Sequence, residues 1–452
     1  MMRSLYSGVA GLKTHQTRMD VIGNNIANVN TTAYKSQSMT FSDLMYQTTQ
    51  AASGANPTTG VGGINARQIG LGAKTSAIKT AITTQGASQT TNDPFDIMIT
   101  GDSFFIVNNG QNNYFTRDGS FYVDGAGNLA MTSTGYNVMG WQVDPNDASA
   151  IKQDTVSALR IMTTENMTYP PEATKAARIS GIIDKNDTNV NATAGKIMNL
   201  EFYDNQGYKY TAKLSVHAVQ GVEGQFTVQL DDILDSKGKT VLADKTKASL
   251  QQNNANVTNP VLEFNTTNGS FKNVGTAGGT ASTLSLHFDA ATFPSFSDIT
   301  IDFSNCSNLN NNGSSTISPI RGDAKGNNAG RKVGEMSGID IQKDGMIYAN
   351  YDNGCSRLLG QIAVATFANA SGLAKEGDNL YSATQNSGDF DGIGTDITTG
   401  GGYMNTGVLE MSNVDLSSEF TEMITTQRGF QANSRIITVS DTLLEELTNL
   451  KR

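Results

Sequence analysis

The sequence predicts a mixed, mainly β protein. Nested β domains of meander or barrel-like form are flanked by two long terminal amphipathic α-helices that pair as a coiled coil. Apolar residues recur at helical spacing at both ends of the chain. Between the ends, short strand-like runs are separated by Asn-Gly and Asp-Gly turns, as in antiparallel sheets. The composition is 37% hydrophobic and only 16% charged, which suits turn-rich β domains with polar, uncharged surfaces.

The stretch 412–452 predicts the longer helix, because it contains no proline and a single glycine, Gly429. Ser412 followed three residues later by Asp415 resembles a capping box and marks the start. Roughly 37 helical residues would extend about 55 Å, too far for one small domain to cover. The apolar stripe therefore needs a partner. Its predicted assembly residues are Leu416, Phe420, Met423, Phe430, Ile437, Leu443 and Leu447, with Ile436 and Leu450 beside them.

The partner is predicted at the other end, as a helix over residues 1–30 that ends in the turn-rich run Asn28–Thr32. Residues 1–35 carry a net positive charge and residues 410–452 a net negative charge, which favours pairing because complementary charges help to select a partner. The alternative is two ordinary helices of one globular core. The apolar assembly residues predicted here are Leu5, Val9, Leu12, Met19, Ile22 and Ile26.

Between the helices the sequence predicts three further segments. Residues 36–85 are low in charge and indicate an extended arm or linker. A middle β domain comprises 86–171 plus 336–409. An outer β domain at 172–335 is inserted into it, and the Tyr169-Pro170-Pro171 run marks the boundary between the two. The helical domain is 1–35 plus 410–452. Expected loops are Gln251–Val257, Asn305–Ser315 and the Gly-rich 370–407, whereas Gln361–Phe367 is expected to be one strand.

Several classes of protein are disfavoured. A net charge of −10 argues against a nucleic-acid partner. No apolar run approaches the ~18 residues of a membrane span, so no membrane insertion is expected. The N-terminal stretch lacks an apolar core, so a cleaved signal peptide is not expected. Cys306 and Cys355 do not form a CxxC pair and could make at most one disulfide, which the sequence leaves undecided.

A search for catalytic motifs predicts a non-enzyme with no catalytic, cofactor or metal site. His15, His217 and His287 are widely separated. The run Gly70–Thr75 has alanine where a phosphate-binding loop needs glycine before lysine. The acidic run Asp389–Asp396 lacks the spacing of an EF-hand calcium loop, so a solvated loop is expected.

Both ends carry long motifs that resemble the bacterial flagellar rod and hook family. They are the stretches Met2–Leu12 and Ile22–Lys35, and Leu409–Leu416 and Gln427–Arg435. The middle run Gly101–Val107 is similar to the shared β domain. Ala33-Tyr34 departs from the family's frequent Gly-Phe. The signature residues carried over are Asn24, Asn25, Ala27, Asn28, Thr31, Lys35, Asn413, Gln427, Arg428 and Asn433.

Rod members of this family are shorter, so the length and the inserted domain resemble a hook member. That resemblance implies a self-assembling, bendable helical tube that transmits motor torque from rod to filament, with the paired helices inside. It implies contacts with rod, hook-cap and hook–filament junction proteins and with the export apparatus. It also implies an extracellular place in the hook, reached without a cleaved signal peptide. The alternatives are a distal rod or junction subunit, or a secreted β-rich adhesin.

Overall fold

The computed structural model describes residues 2–54, 60, 62–144, 147–242, 245–253 and 255–450. The outermost residues of the predicted helical domain (1, 451 and 452) and residues 55–59 and 61 of the predicted arm lie outside the described residues. The chain forms two compact units. One comprises Met1–Thr163, Ile339–Ala349 and Arg357–Arg452, and the other Thr164–Gly338 and Asn350–Ser356.

The first unit contains the two α-helices of the described chain. Helix α1 is Met2–Ala27 and helix α2 is Leu416–Asn449. Asp415, not Ser412, is the N-cap of α2, because its carboxylate accepts the backbone N–H of Ser417 at 2.9 Å. The expected start at Ser412 was therefore wrong, since that hydroxyl accepts the N–H of Val414 in the approach to the helix. The predicted pairing is confirmed: the two helices run antiparallel and in close contact.

The β-structure of the first unit is a mixture of hairpins and one larger sheet. The sheet order is Ser356–Ile362, Asn137–Asp144, Phe104–Asn108, Asn113–Thr116, Leu380–Ser382 and Ala374–Gly377. The other strands are Gln37–Asp43, Tyr46–Gln50, Arg67–Gly70, Ala73–Thr80, Ser88–Thr90, Ile97–Thr100, Phe121–Val123, Leu129–Met131, Asp147–Ile151, Ser157–Ala158, Val364–Ala365, Tyr403–Thr406 and Val408–Glu410. Short 3-10 helices occupy Ala370–Gly372 and Ile397–Gly400.

An aromatic cluster forms the core of this sheet. Phe104, Phe115 and Tyr381 pack together with Trp141, which is 2% exposed. The indole Nε1 of Trp141 donates to the carbonyl oxygens of Asp154 and Ile393, at 3.0 and 2.9 Å. The core therefore fixes the loop that follows Asp389.

The second unit consists of two sheets around one apolar core. The six-stranded sheet runs Ala255–Asn256, Ala248–Gln252, Thr283–Phe288, Ile299–Asn308, Ala176–Ile183, Ser318–Arg321. The five-stranded sheet runs Lys196–Tyr203, Lys209–Ala218, Gln225–Asp235, Val261–Phe264, Phe271–Gly275. Phe202 of the second sheet stacks on Phe288 of the first, with ring centroids 5.6 Å apart. Remaining elements are Thr168–Tyr169, the 3-10 turn Lys245–Lys247, and the hairpin Gly334–Ile341 with Met346–Tyr351, which is divided between the units.

Four local expectations were wrong, three of them because sheet pairing overrode local composition. Asn305 to Asn308 are strand rather than exposed loop, since Ile299–Asn308 pairs parallel with Ala176–Ile183. Residues of Gln251–Val257 form the end of a strand and a short return strand. The segment 370–407 contains three strands, Ala374–Gly377, Leu380–Ser382 and Tyr403–Thr406, in place of loop alone. The expected single strand Gln361–Phe367 is interrupted at Ala363.

Candidate functional site: the helix pair and its buried junction

The buried residues of α1 and α2 are mostly small or polar. On α1 the buried residues are Gly8, Thr14, Val21, Ile22 and Asn25. On α2 they are Thr426 and Ser440. The guanidinium of Arg18 pairs with the carboxylate of Glu422 at 2.9 Å across the helices. The helices approach closely at Gly8 of α1, where a Cβ atom would lie 3.3 Å from Cγ1 of Ile437 and 3.4 Å from the backbone oxygen of Asn433.

The predicted assembly residues are divided between the contact surface of the two helices and the outside of the pair. Ile22 is buried, whereas Leu5, Leu12, Met19, Ile26, Met423, Phe430 and Ile437 are half-buried. Val9, Leu416, Phe420, Leu443 and Leu447 are exposed. Ile424 and Val439, which the sequence analysis did not single out, are 53% and 56% exposed. Exposed apolar side chains in this number mark an interaction surface, and their role in assembly stays a prediction.

A buried junction joins the helices to the sheet of the same unit. Asn25 of α1 is fully buried, and its amide donates to the carbonyl oxygen of Gln37 at 2.7 Å and to Glu419 of α2 at 2.8 Å. Its oxygen accepts the N–H of Gln37 at 2.9 Å. Asn25 therefore ties α1 to α2 and to the first strand together.

Three charged side chains form the centre of the junction. The ammonium of Lys35 contacts Oε1 of Glu410 at 2.6 Å and donates to the carbonyl oxygen of Thr84 at 2.8 Å. Nη1 of Arg117 lies 3.8 Å from the other oxygen of Glu410. All three side chains are almost fully buried. Burial lowers the pKa of Lys35, which the Glu410 carboxylate partly opposes, and burial also lowers the pKa of Arg117.

The signature residue Asn413 closes the junction from the C-terminal side. Its oxygen accepts the N–H of Ser36 at 2.7 Å, and its amide donates to the carbonyl oxygens of Ala81 and Thr84 at 2.9 and 3.0 Å. Buried backbone groups need such partners. The segment after α1 and the segment before α2 are thus held side by side.

The other signature residues lie outside this centre. Asn28 ends α1, because its amide donates to the carbonyl oxygen of Asn24 and its oxygen accepts the hydroxyl of Thr31. Asn24, Ala27, Gln427 and Arg428 are exposed, and Asn433 lies at the contact surface of the helices. Sequence reasoning missed Glu410, Arg117 and His15. The available signal for Glu410 was a charged residue inside the family motif Leu409–Leu416.

Within the described ranges, no group of three or more His, Cys, Asp or Glu side chains is placed to hold a metal ion. No described helix combines the length and the apolar character needed to cross a membrane. Cys306 and Cys355 are both buried and free. Burial raises the pKa of Cys306 to about 12.

Three family models match the chain. The flagella basal body rod protein model covers residues 5–35, the flagellar hook protein FlgE/F/G D1 domain model covers 98–178, and the flagellar basal body rod FlgEFG protein C-terminal model covers 405–450. The first and third include α1 and α2 with most of the junction. Fold and site thus define a protein of the flagellar rod and hook class.

Comparison with individual relatives shows to which family of this class the chain belongs. The chain is 33% identical to the flagellar hook protein FlgE of Treponema pallidum over 484 aligned residues, and 36% identical to that of Borreliella burgdorferi over 472, with 100% of each chain covered. It is 29% identical to the basal-body rod protein FlgG of Bacillus subtilis. The chain therefore belongs to the flagellar hook protein family and is a structural subunit of the bacterial flagellar hook.

A solved structure, the Helicobacter pylori flagellar hook protein FlgE2, also aligns. Its TM-score is 0.42 at 14% identity, with 72% of this chain and 100% of that chain covered.

Proposed function

We propose that the chain works without catalysis, by assembling with copies of itself into a helical tube whose inner wall is the α1–α2 pair. The observation that carries this proposal is the set of large apolar side chains on the outside of the pair. Phe420, Ile424 and Val439 are half exposed or more, and burying the exposed half of each against a neighbour would contribute roughly 1 kcal/mol. A repeated contact between different surfaces of identical subunits generates an open helical polymer.

The chain ends and the β-structure offer different kinds of contact surface, and this difference supports a bendable tube. The helix pair offers apolar contacts that hold subunits together. The β-rich units carry Asn, Thr and Ser surfaces, and water-mediated polar contacts can rearrange at low free-energy cost. Subunits could then shift relative to their neighbours while the tube turns and transmits torque from rod to filament. A polymer map with a large apolar contact between β units of adjacent subunits would contradict this part.

The partners follow from a place between rod and filament. They are the rod below, the hook cap during growth, the hook–filament junction proteins above, and the flagellar export apparatus that delivers the subunit. The working location is the extracellular hook. These assignments rest on membership in the hook protein family.

Electron microscopy of cells that lack this gene tests the proposal. They should contain basal bodies with rods but without hooks, and the intact chain supplied in trans should restore hooks. As a matched pair, a chain carrying Phe420→Asp should fail to restore hooks, whereas a chain carrying Lys237→Asp, at an exposed loop of the second unit, should succeed. Intact hooks in the deleted cells would overturn the assignment.

A further inference from the structure

Two glycines mark places where a side chain of one helix packs directly against the backbone of the other. A Cβ atom on Gly11 would lie 2.7 Å from Oδ1 of Asn433, and a Cβ atom on Gly429 would lie 2.7 Å from Cε1 of His15. Both distances are far below ordinary contact. Each helix therefore contributes one glycine and one larger polar side chain, spaced four residues apart. We call these two pairs the reciprocal glycine contacts.

Further bonds hold the larger side chains in place. The amide of Asn433 donates to the carbonyl oxygen of Gly429 at 2.9 Å, within α2. The ring of His15 packs edge-on against Phe41, with centroids 5.4 Å apart, and its Nδ1 is buried without a hydrogen-bond partner among the described residues. Neither side chain is thus free to swing away from the opposite glycine. Glycine is also a poor residue for a helix interior, so its presence at both contacts needs a reason.

We propose that the reciprocal glycine contacts specify one antiparallel register between α1 and α2 of the same chain, and so decide which apolar side chains face neighbouring subunits. This inference deepens the proposed function and rests on it. A buried asparagine is known to select register and partner in coiled coils. Here the selection is steric, because Asn433 and His15 each fit only opposite a residue without a side chain.

A slip by one heptad shows the selectivity. Such a slip keeps the same helix faces opposed, yet it places His15 opposite Ile436 or Glu422, and Asn433 opposite Arg18 or Ser4. Neither larger side chain then meets a glycine. The observed register alone satisfies both contacts, and it leaves Phe420, Ile424 and Val439 on the outside of the pair.

Alanine substitutions in the intact chain test the inference by complementation of gene-deleted cells, with hooks counted by electron microscopy. Gly11→Ala and Gly429→Ala should each lower the number of hooks about tenfold or more, as expected for overpacking of a close contact. Gly23→Ala is the matched control, because a Cβ atom there meets nothing within 4 Å. It should leave the hook count unchanged.

Compensating changes separate a specific contact from general damage. Asn433→Ala should restore hooks to the Gly11→Ala chain, and His15→Ala should restore them to the Gly429→Ala chain. If Gly11→Ala and Gly429→Ala assemble as well as Gly23→Ala, or if the compensated chains do no better than the single variants, the inference fails. The proposed function would still stand, since it fails only if gene-deleted cells build hooks.

Disulfide trapping tests the register between α1 and α2 directly. A Cβ atom on Gly8 would lie 3.3 Å from Cγ1 of Ile437, so isolated hooks carrying Gly8→Cys with Ile437→Cys should oxidise to a link within one chain. Denaturing gels without reductant should then show monomers of altered mobility, absent when either cysteine is introduced alone. Hooks with Gly8→Cys and Leu444→Cys, one heptad away, should not link. A ladder of linked chains, no link, or equal linking of the slipped pair would overturn the inference.

Discussion

Replacing Glu410 by glutamine removes the carboxylate that Lys35 and Arg117 share. Both cations would then stay buried with a neutral amide between them. Removing one partner of a buried ion pair costs about 3–5 kcal/mol, and we expect Glu410→Gln near the upper end, about 5 kcal/mol. Lys35→Met should cost less, about 3 kcal/mol. It leaves one anion facing one cation, with Glu410 still 3.8 Å from Arg117.

The single tryptophan makes the measurement specific to the first unit. Trp141 is buried in that unit's core, so its fluorescence during urea denaturation of the purified chain follows unfolding there. Lys79→Met, at an exposed position of the same unit, is the control. Its free energy of unfolding should stay within about 0.5 kcal/mol of that of the unchanged chain. A decrease in the free energy of unfolding of less than about 1 kcal/mol for Glu410→Gln would refute the reasoning. A larger decrease for Lys35→Met than for Glu410→Gln would also refute it.

Three further outcomes are expected. Phe430→Ala should abolish hook assembly and motility without changing the urea midpoint of unfolding that Trp141 fluorescence reports. Assembled hooks in this variant would contradict the prediction. Limited proteolysis of monomers should trim both ends and stop near Lys35 and Glu410, which are fixed in the junction, and equal protection of the ends would contradict this. Burial, and then the charge of Arg18, lower the pKa of His15. The helix pair therefore favours the neutral form of His15. The stability that this preference contributes is fully present at pH values above the ordinary pKa of 6.5, and it is lost as the pH falls below that value. Hooks carrying His15→Gln should dissociate less between about pH 7 and pH 5, and an unchanged pH dependence would be evidence against this role.

Periodicity predicted the helix pair because an apolar stripe repeats along each end of the chain. It did not predict which side chains lie between the helices. A stripe such as Phe420 to Leu447 shows that a partner exists, not whether that partner is the same chain or another copy. No role for Gly11 or Gly429 was evident from the sequence, because the purpose of a missing side chain becomes visible only when the opposite residue is known.

The junction was only partly accessible from sequence for a similar reason. Lys35 and Asn413 were singled out by their place in family motifs. The partner of Lys35, however, is 375 residues away, and no local pattern pairs one lysine with one of many carboxylates over that separation. The Asn305–Asn308 strand was missed because its polar residues are ordered by a parallel neighbour rather than by their own propensity.

A density map of the isolated polymer would show the helix pair and its neighbours together. We expect α1 and α2 of each chain to be paired in the inner wall, with Asn433 against Gly11 of the same chain. We also expect Phe420, Ile424 and Leu443 to be buried against other subunits. A map in which these apolar side chains face solvent, or in which the helix pair takes no part in contacts between subunits, would contradict these expectations.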